Sequence, residues 1–183
     1  MKYQNSKQKE GAAYLKMKDA FGYKNALSSP RLAKIIVSTG TGTALKKDKN
    51  RNEAISERLA KITGQKPALR GAKKSIASFK IRQGDPIGIM VTMRGKRMNA
   101  FLDKLIDVAL PRTKDFRGIS QRAVDDVGNL TLGIREHTIF PETADEDIRD
   151  VFGLAITLVS TAKNKKEGLA FFKLLGIPFK KEA

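Results

Sequence analysis

The stretch PIGIMVTMR, residues 86–94, alternates with period two. Ile87, Ile89, Val91 and Met93 fall on one face of an extended chain, and Gly88, Met90, Thr92 and Arg94 on the other. A strand with that pattern buries one face and leaves the other polar, so it belongs to a sheet covered on one side. Upstream, the β-branched run Ile35-Ile36-Val37 marks a second strand, Leu32 to Thr39, which feeds directly into the small-residue loop Gly40-Thr41-Gly42-Thr43. Between the two, Asn50 and Glu53 form a capping-box pattern, and Ile55, Leu59 and Ile62 recur at helical spacing until Gly64. After Gln65-Lys66-Pro67 come two extended stretches, in the second of which Ala77, Phe79 and Ile81 alternate with Ser78, Lys80 and Arg82.

Downstream, Met98, Phe101, Leu102, Leu105, Ile106 and Ala109 make one apolar stripe, which predicts a helix over 96–109 that Pro111 stops. Arg122 to Ile134 reads as a hairpin turned at Gly128-Asn129, with Leu130, Leu132 and Ile134 on one face. Thr143 with Glu146 and Asn164 with Glu167 are two further capping boxes, and between them Phe152 to Ser160 reads as a strand. The last helix stops at Gly176, with Pro178 beyond. At the other end, Ala13, Leu15, Met17, Ala20 and Phe21 give a helical pattern over 7–21 that ends at Gly22, and residues 25–30 read as a loop. The expected architecture is α+β: a mainly antiparallel sheet with helices packed on one face and the other face open for a ligand. No repeat or linker interrupts residues 1–183, so a single domain is expected, burying roughly 70% of its unfolded surface.

Charge narrows the function. The chain carries a formal +17, far beyond the magnitude of about 2 to 8 that solubility needs. Residues 1–100 hold 23 Lys and Arg against 6 Asp and Glu, whereas residues 101–183 hold 13 of each. Self-repulsion on that scale calls for a polyanion, and nucleic acid fits. The densest run is Lys66, Arg70, Lys73, Lys74, Lys80, Arg82, Arg94, Lys96 and Arg97, with Asp85 as its only acid. It crosses strands and turns, so a solvated helix face does not account for it. Helix-turn-helix, zinc-finger and basic-zipper patterns are absent, which favours irregular RNA over duplex DNA. Phe79 either stacks on a base or, as its alternation with Ala77 and Ile81 favours, joins the core.

Other chemistries find little support. His137 is the only histidine and there is no cysteine, so histidine- or thiolate-built metal sites are ruled out. Acids at Glu142, Asp145, Glu146, Asp147 and Asp150 are accounted for by a helix dipole. Gly40-Thr41-Gly42 is followed by Leu45 where a dinucleotide fingerprint needs glycine, and no Gly-Lys-Ser or Gly-Lys-Thr follows. The loop is read instead as a place where RNA sugar-phosphate approaches the backbone, with Lys46, Lys47, Lys49 and Arg51 beside it. The longest apolar stretch, 151–162, is too short to span a bilayer, and the N-terminus carries neither a signal h-region nor a myristoylation pattern. The expectation is a cytoplasmic protein with no catalysis, no cofactor, no metal and no membrane partner. The rivals are a free RNA chaperone and a metal-dependent nuclease or nucleotide-using enzyme.

Several ordered blocks resemble one family. They are PRLAKIIVSTGTG (30–42), ITGQKP (62–67), AKKSIASFKIRQG (72–84), PIG..VTMRG.RM (86–98), LPRTKDFRGIS (110–120), GNLTLGIREHTIFPE (128–142), STAK (160–163) and GIPF (176–179). Together they resemble the bacterial-type large-subunit ribosomal protein five, the family that binds 5S ribosomal RNA. The resemblance implies a protein of the central protuberance that grips 5S rRNA with Ser38, Gly40, Gly42, Gln65, Lys66, Phe79, Thr92 and Arg94. It further implies that a loop carrying Lys73, Lys74, Ser75, Lys80 and Arg82 approaches transfer RNA in the peptidyl site. Other implied partners are 23S-type rRNA, neighbouring large-subunit proteins and a small-subunit head protein across an intersubunit bridge. Four places depart from the family's pattern: Ser38 stands for a usual Asn, Arg70 for a common Thr, Asp125-Asp126-Val127 for a stretch with Gly and Arg, and Ala155 for an Asp. Ser38 offers one hydroxyl where the amide offers more, so a direct hydrogen bond there is in question.

Overall fold

The computed structural model describes residues 6–42, 51–144 and 151–180. In chain order the elements are α1 (Ser6–Phe21), β1 (Leu32–Gly40), α2 (Arg51–Thr63), β2 (Ala68–Gly71), β3 (Pro86–Met93), α3 (Gly95–Lys104), β4 (Leu130–Ile134), β5 (Leu154–Ser160) and α4 (Lys165–Leu175). The strands form one five-stranded sheet in the order β2-β3-β1-β5-β4. Cross-strand bonds show the directions. Arg31 faces Thr161 and Thr39 faces Gly153, so β1 and β5 run oppositely. Likewise Ser160 faces Gly128 and Thr157 faces Thr131 between β5 and β4, and β2 pairs antiparallel with β3 from Ala68↔Met90 to Gly71↔Pro86. The fold is α+β, as the alternation in residues 86–94 implies.

Each long strand buries alternate residues. Ile89, Val91 and Met93 of β3 are at most 1% exposed, while Gly88, Met90 and Thr92 are half-buried. The same two-residue beat puts Ile35, Val37 and Thr39 of β1, Leu154, Ile156 and Leu158 of β5, and Leu130, Leu132 and Ile134 of β4 into the interior.

The chain divides into two compact units. One takes in residues 1–35, 93–132 and 157–183, the other residues 36–92 and 133–156. In the first, α1 packs on α3 and α4. Ala13 and Met17, one turn apart, are buried, but Leu15 points away and is 72% exposed, so the apolar face is narrower than the sequence pattern implies. The start of α1 is tied down where Ser6 N–H donates to Asp103 Oδ1 (2.8 Å), and its end closes at Gly22 (φ +66), whose N–H donates to Lys18 O (2.8 Å). Residues 26–28 form a short 3₁₀ turn within the expected loop. Tyr23 O–H then donates to the buried Glu167 carboxylate of α4.

The stripe expected over 96–109 is helical throughout, but α3 ends at Lys104 and a π turn follows over 105–109, with Leu110 N–H donating five residues back to Leu105 O (2.9 Å). The extra residue re-registers the stripe so that Leu105, Ala109 and Leu110 are all buried. The hairpin expected from Arg122 is only half present. Residues 121–123 are a 3₁₀ turn, and the first arm pairs at a single bridge, Val124↔Leu130. The Asp125 side chain takes over the role of a longer ladder, accepting from Asn129 N–H (2.6 Å) and Asn129 Nδ2 (2.9 Å). At α4 the cap is as expected: Asn164 Oδ1 accepts from Glu167 N–H (2.9 Å), while Glu167 Oε2 reaches back to Lys163 N–H (2.6 Å), one residue before the cap.

In the second unit α2 buries Ile55, Leu59 and Ile62 and ends at Gly64 (φ +65). Its expected cap Asn50, and the Glu146 end of the Thr143 capping box, lie outside the described residues. Strand β5 begins at Leu154, two residues later than the pattern implies. No helix among the described residues is long and apolar enough to cross a membrane.

Candidate nucleic-acid interface

The second unit carries most of the residues expected at an RNA contact. Strand β1 brings Ser38, half-buried, to the loop Gly40-Thr41-Gly42. The loop is pinned on both sides: Thr39 Oγ1 donates to Gly153 O (2.7 Å), and Thr41 N–H donates to Ile87 O (2.8 Å). Gly40 is exposed, and a Cβ there would meet nothing within 4 Å. Its glycine therefore leaves bare backbone on the surface and fills no tight fit. Gly42 is half-buried, and a Cβ there would make ordinary contact with Ile87 and Ile81. Lys46, Lys47 and Lys49 lie outside the described residues.

Gln65 leaves the end of α2 and donates its Nε2–H to Thr92 O of β3 (3.1 Å). The structure thus brings Gln65 and Thr92 together. With one amide N–H held by the backbone, the acceptor oxygen and second N–H of Gln65 and the hydroxyl of the half-buried Thr92 are the groups left for a ligand. Lys66 and Arg94 are exposed on either side in sequence, Arg94 at the residue preceding α3.

Residues 72–85 connect β2 to β3 as a long hairpin. Its base is tied by Ala72 N–H to Asp85 O (2.8 Å) and Gly84 N–H to Ala72 O (3.0 Å), and its middle by mutual bonds between Ile76 and Ile81 (2.9 and 3.2 Å). The alternating strand expected over 77–82 is absent. Residues 77–79 form a 3₁₀ turn instead, and Lys80 adopts a left-handed conformation (φ 53). Alternation fails as a signal because only Ile81 of the three apolar residues is partly sheltered; Phe79 is 58% exposed at the tip, correcting its expected place in the core. Lys73, Lys74, Lys80 and Arg82 of the same hairpin are all exposed. Ser75, expected to touch a ligand, has its hydroxyl oxygen engaged by Gln83 N–H (3.0 Å). On sequence, Asp85 is merely the lone acid of a basic run. In the fold its carboxylate accepts from Arg82 N–H (2.7 Å), and the signal that could have revealed this is the turn sequence Gln83-Gly84 just before it.

Among the described residues no group of three His, Cys, Asp or Glu could hold a metal ion. His137 is buried, stacks on Phe152 at 4.2 Å, and accepts from Phe152 N–H at Nδ1 (3.3 Å), a packing role. Of the acidic cluster, Glu142 is exposed and the others lie outside the described residues.

Two family models match, one described as ribosomal protein L5 over residues 25–82 and one as the C-terminus of the same ribosomal family over residues 86–179. The chain belongs to the ribosomal protein L5 family. It is 52% identical over 166 residues to the large ribosomal subunit protein uL5 of Desulfatibacillum aliphaticivorans, covering 91% of this chain and 92% of that protein. The uL5 proteins of Acaryochloris marina (49%, covering 90% and 91%) and Trichlorobacter lovleyi (50%, covering 90% and 92%) are similarly close. L5 proteins are structural constituents of the large ribosomal subunit and not enzymes, which sets aside the nuclease and free-chaperone readings. Ribosomal RNA is accordingly the polyanion that the charge calls for.

Proposed function

We propose that this L5 chain anchors 5S ribosomal RNA in the central protuberance, and that its 72–85 hairpin reaches the peptidyl-site transfer RNA. The observation that carries this reading is the state of the basic run. All nine cations from Lys66 to Arg97 are exposed, and among the described residues none of them forms an ion pair. Nine unpaired cations without a polyanion would be a standing electrostatic cost. Phosphates remove it.

Along that run the roles divide by chemistry. Lys66, Arg94 and the loop lysines neutralise phosphate; Gln65 and Thr92, locked together, offer directional hydrogen bonds; Gly40 and Gly42 let the sugar-phosphate approach the backbone; Ser38 adds one hydroxyl. Lys73, Lys74, Lys80 and Arg82 form the contact for transfer RNA, and Phe79, exposed at the same hairpin's tip, offers its ring for stacking on a 5S rRNA base. In this reading 23S-type rRNA, neighbouring large-subunit proteins and a small-subunit head protein surround the rest of the chain.

Filter binding to a 5S transcript tests the division of roles. Gln65→Ala removes a positioned group and weakens binding more than Lys47→Ala, which removes one of many cations. The reverse order would show that the site is misassigned.

A further inference from the structure

We propose that Asp85 is a positioning residue for the 72–85 hairpin, fixing its returning leg so that Phe79 and the hairpin's cations meet RNA as one preformed surface. This rests on the reading of the hairpin as an RNA contact.

A carboxylate within a run of nine cations repels the phosphates those cations attract, so its presence needs another use. The geometry supplies it. Asp85 Oδ2 accepts from Arg82 N–H at 2.7 Å, a charge-assisted bond, while Asp85 N–H donates back to Arg82 O at 3.2 Å. The two bonds close a turn through Gly84, whose φ of +92 suits glycine and whose carbonyl oxygen would lie 3.1 Å from a Cβ placed on Gly71 of β2. On its other side the Asp85 carbonyl accepts from Ala72 N–H at 2.8 Å, so one residue joins both legs of the hairpin at its base.

Nothing else in the loop can do this by burial. Residues 73–80 are all exposed, so hydrogen bonds hold the loop's shape where a core would otherwise do so. Ser75 Oγ, accepting from Gln83 N–H, is the second such side-chain bond.

Charge and position predict opposite signs, which makes the idea testable. Asp85→Asn keeps an acceptor and deletes the negative charge; Asp85→Ala deletes both. In large subunits reconstituted with the full-length variants, Asp85→Asn should bind peptidyl-site transfer RNA as tightly as the parent or tighter. Asp85→Ala should bind roughly tenfold more weakly, the loss of one charged hydrogen bond. Trypsin acting on the free protein should cut after Lys73, Lys74, Lys80 and Arg82 about tenfold faster in Asp85→Ala and at near the parent rate in Asp85→Asn. If Asp85→Ala binds as tightly as Asp85→Asn, the residue acts only through its charge and the proposal is overturned, as it is if cleavage is unchanged. A Lys73→Ala, Lys74→Ala double variant serves as control. Should it leave transfer RNA binding intact, the hairpin's RNA assignment fails, and the cleavage rates alone then decide whether Asp85 orders the loop.

Discussion

Glu167 is 3% exposed, and it is tolerated there because each oxygen has a partner: the Tyr23 hydroxyl at one, Lys163 N–H at the other. Burial, then the bond to Glu167 and its negative charge, push the Tyr23 phenol above its ordinary range. The folded protein therefore holds that proton more tightly than the unfolded chain does. The contribution is complete below the unfolded value of about 10 and is lost as pH rises beyond it. Tyr23→Phe should cost about 1–3 kcal/mol in urea unfolding at pH 7, with the gap to the parent narrowing above pH ~10; an unchanged midpoint at pH 7 would contradict the buried bond. Asp125 shows the opposite sign. Burial pushes its carboxyl up, but hydrogen bonds from Asn129 backbone and side chain, Val127 and Gly128 outweigh that and hold it below the ordinary carboxylate range. Its stabilisation is present above the unfolded value and disappears as acid protonates it. The Asp125 carboxylate thus closes the turn that a hairpin arm would otherwise hold.

Helix α4 closely approaches the turn before β4. A Cβ on Gly168 would lie 2.6 Å from Gly128 Cα and 2.7 Å from Gly128 O, backbone atoms that cannot swing aside. Gly168→Ala should destabilise the protein by about 1–3 kcal/mol in thermal or urea unfolding, and a neutral outcome would mean that the helix can slide away. Which elements form is mostly legible in the sequence. Periodicity finds β1, β3, β5 and the helices, since Ile89-Val91-Met93 and Ile55-Leu59-Ile62 repeat at the spacings that burial imposes. It fails where hydrogen bonding by single groups shapes the chain. Nothing in Ala77, Phe79 and Ile81 announces that a serine and an aspartate bend their segment into an exposed hairpin, and nothing in the stripe through Ala109 announces the π turn that turns Leu110 inward. Of the candidate contacts, residue types can be read in advance, but the Gln65–Thr92 bond joins residues 27 apart and only the fold reveals it.

At the scale of the whole molecule the excess of +17 acts twice, and in opposite directions. In the free protein it strains the compact state, so screening by added salt should raise the melting temperature; a fall would mean that attractive pairs outweigh repulsion. Bound to RNA, the same cations displace counterions, so salt should weaken the complex. The most direct test of the central claim, that the exposed cations from Lys66 to Arg97 grip ribosomal RNA through its phosphates, is the affinity for a 5S transcript measured from about 50 to 200 mM salt. With about 6 to 10 phosphate contacts, affinity should drop by a factor on the order of 10³ to 10⁵ across that range. A nearly level plot of log affinity against log salt would contradict the account.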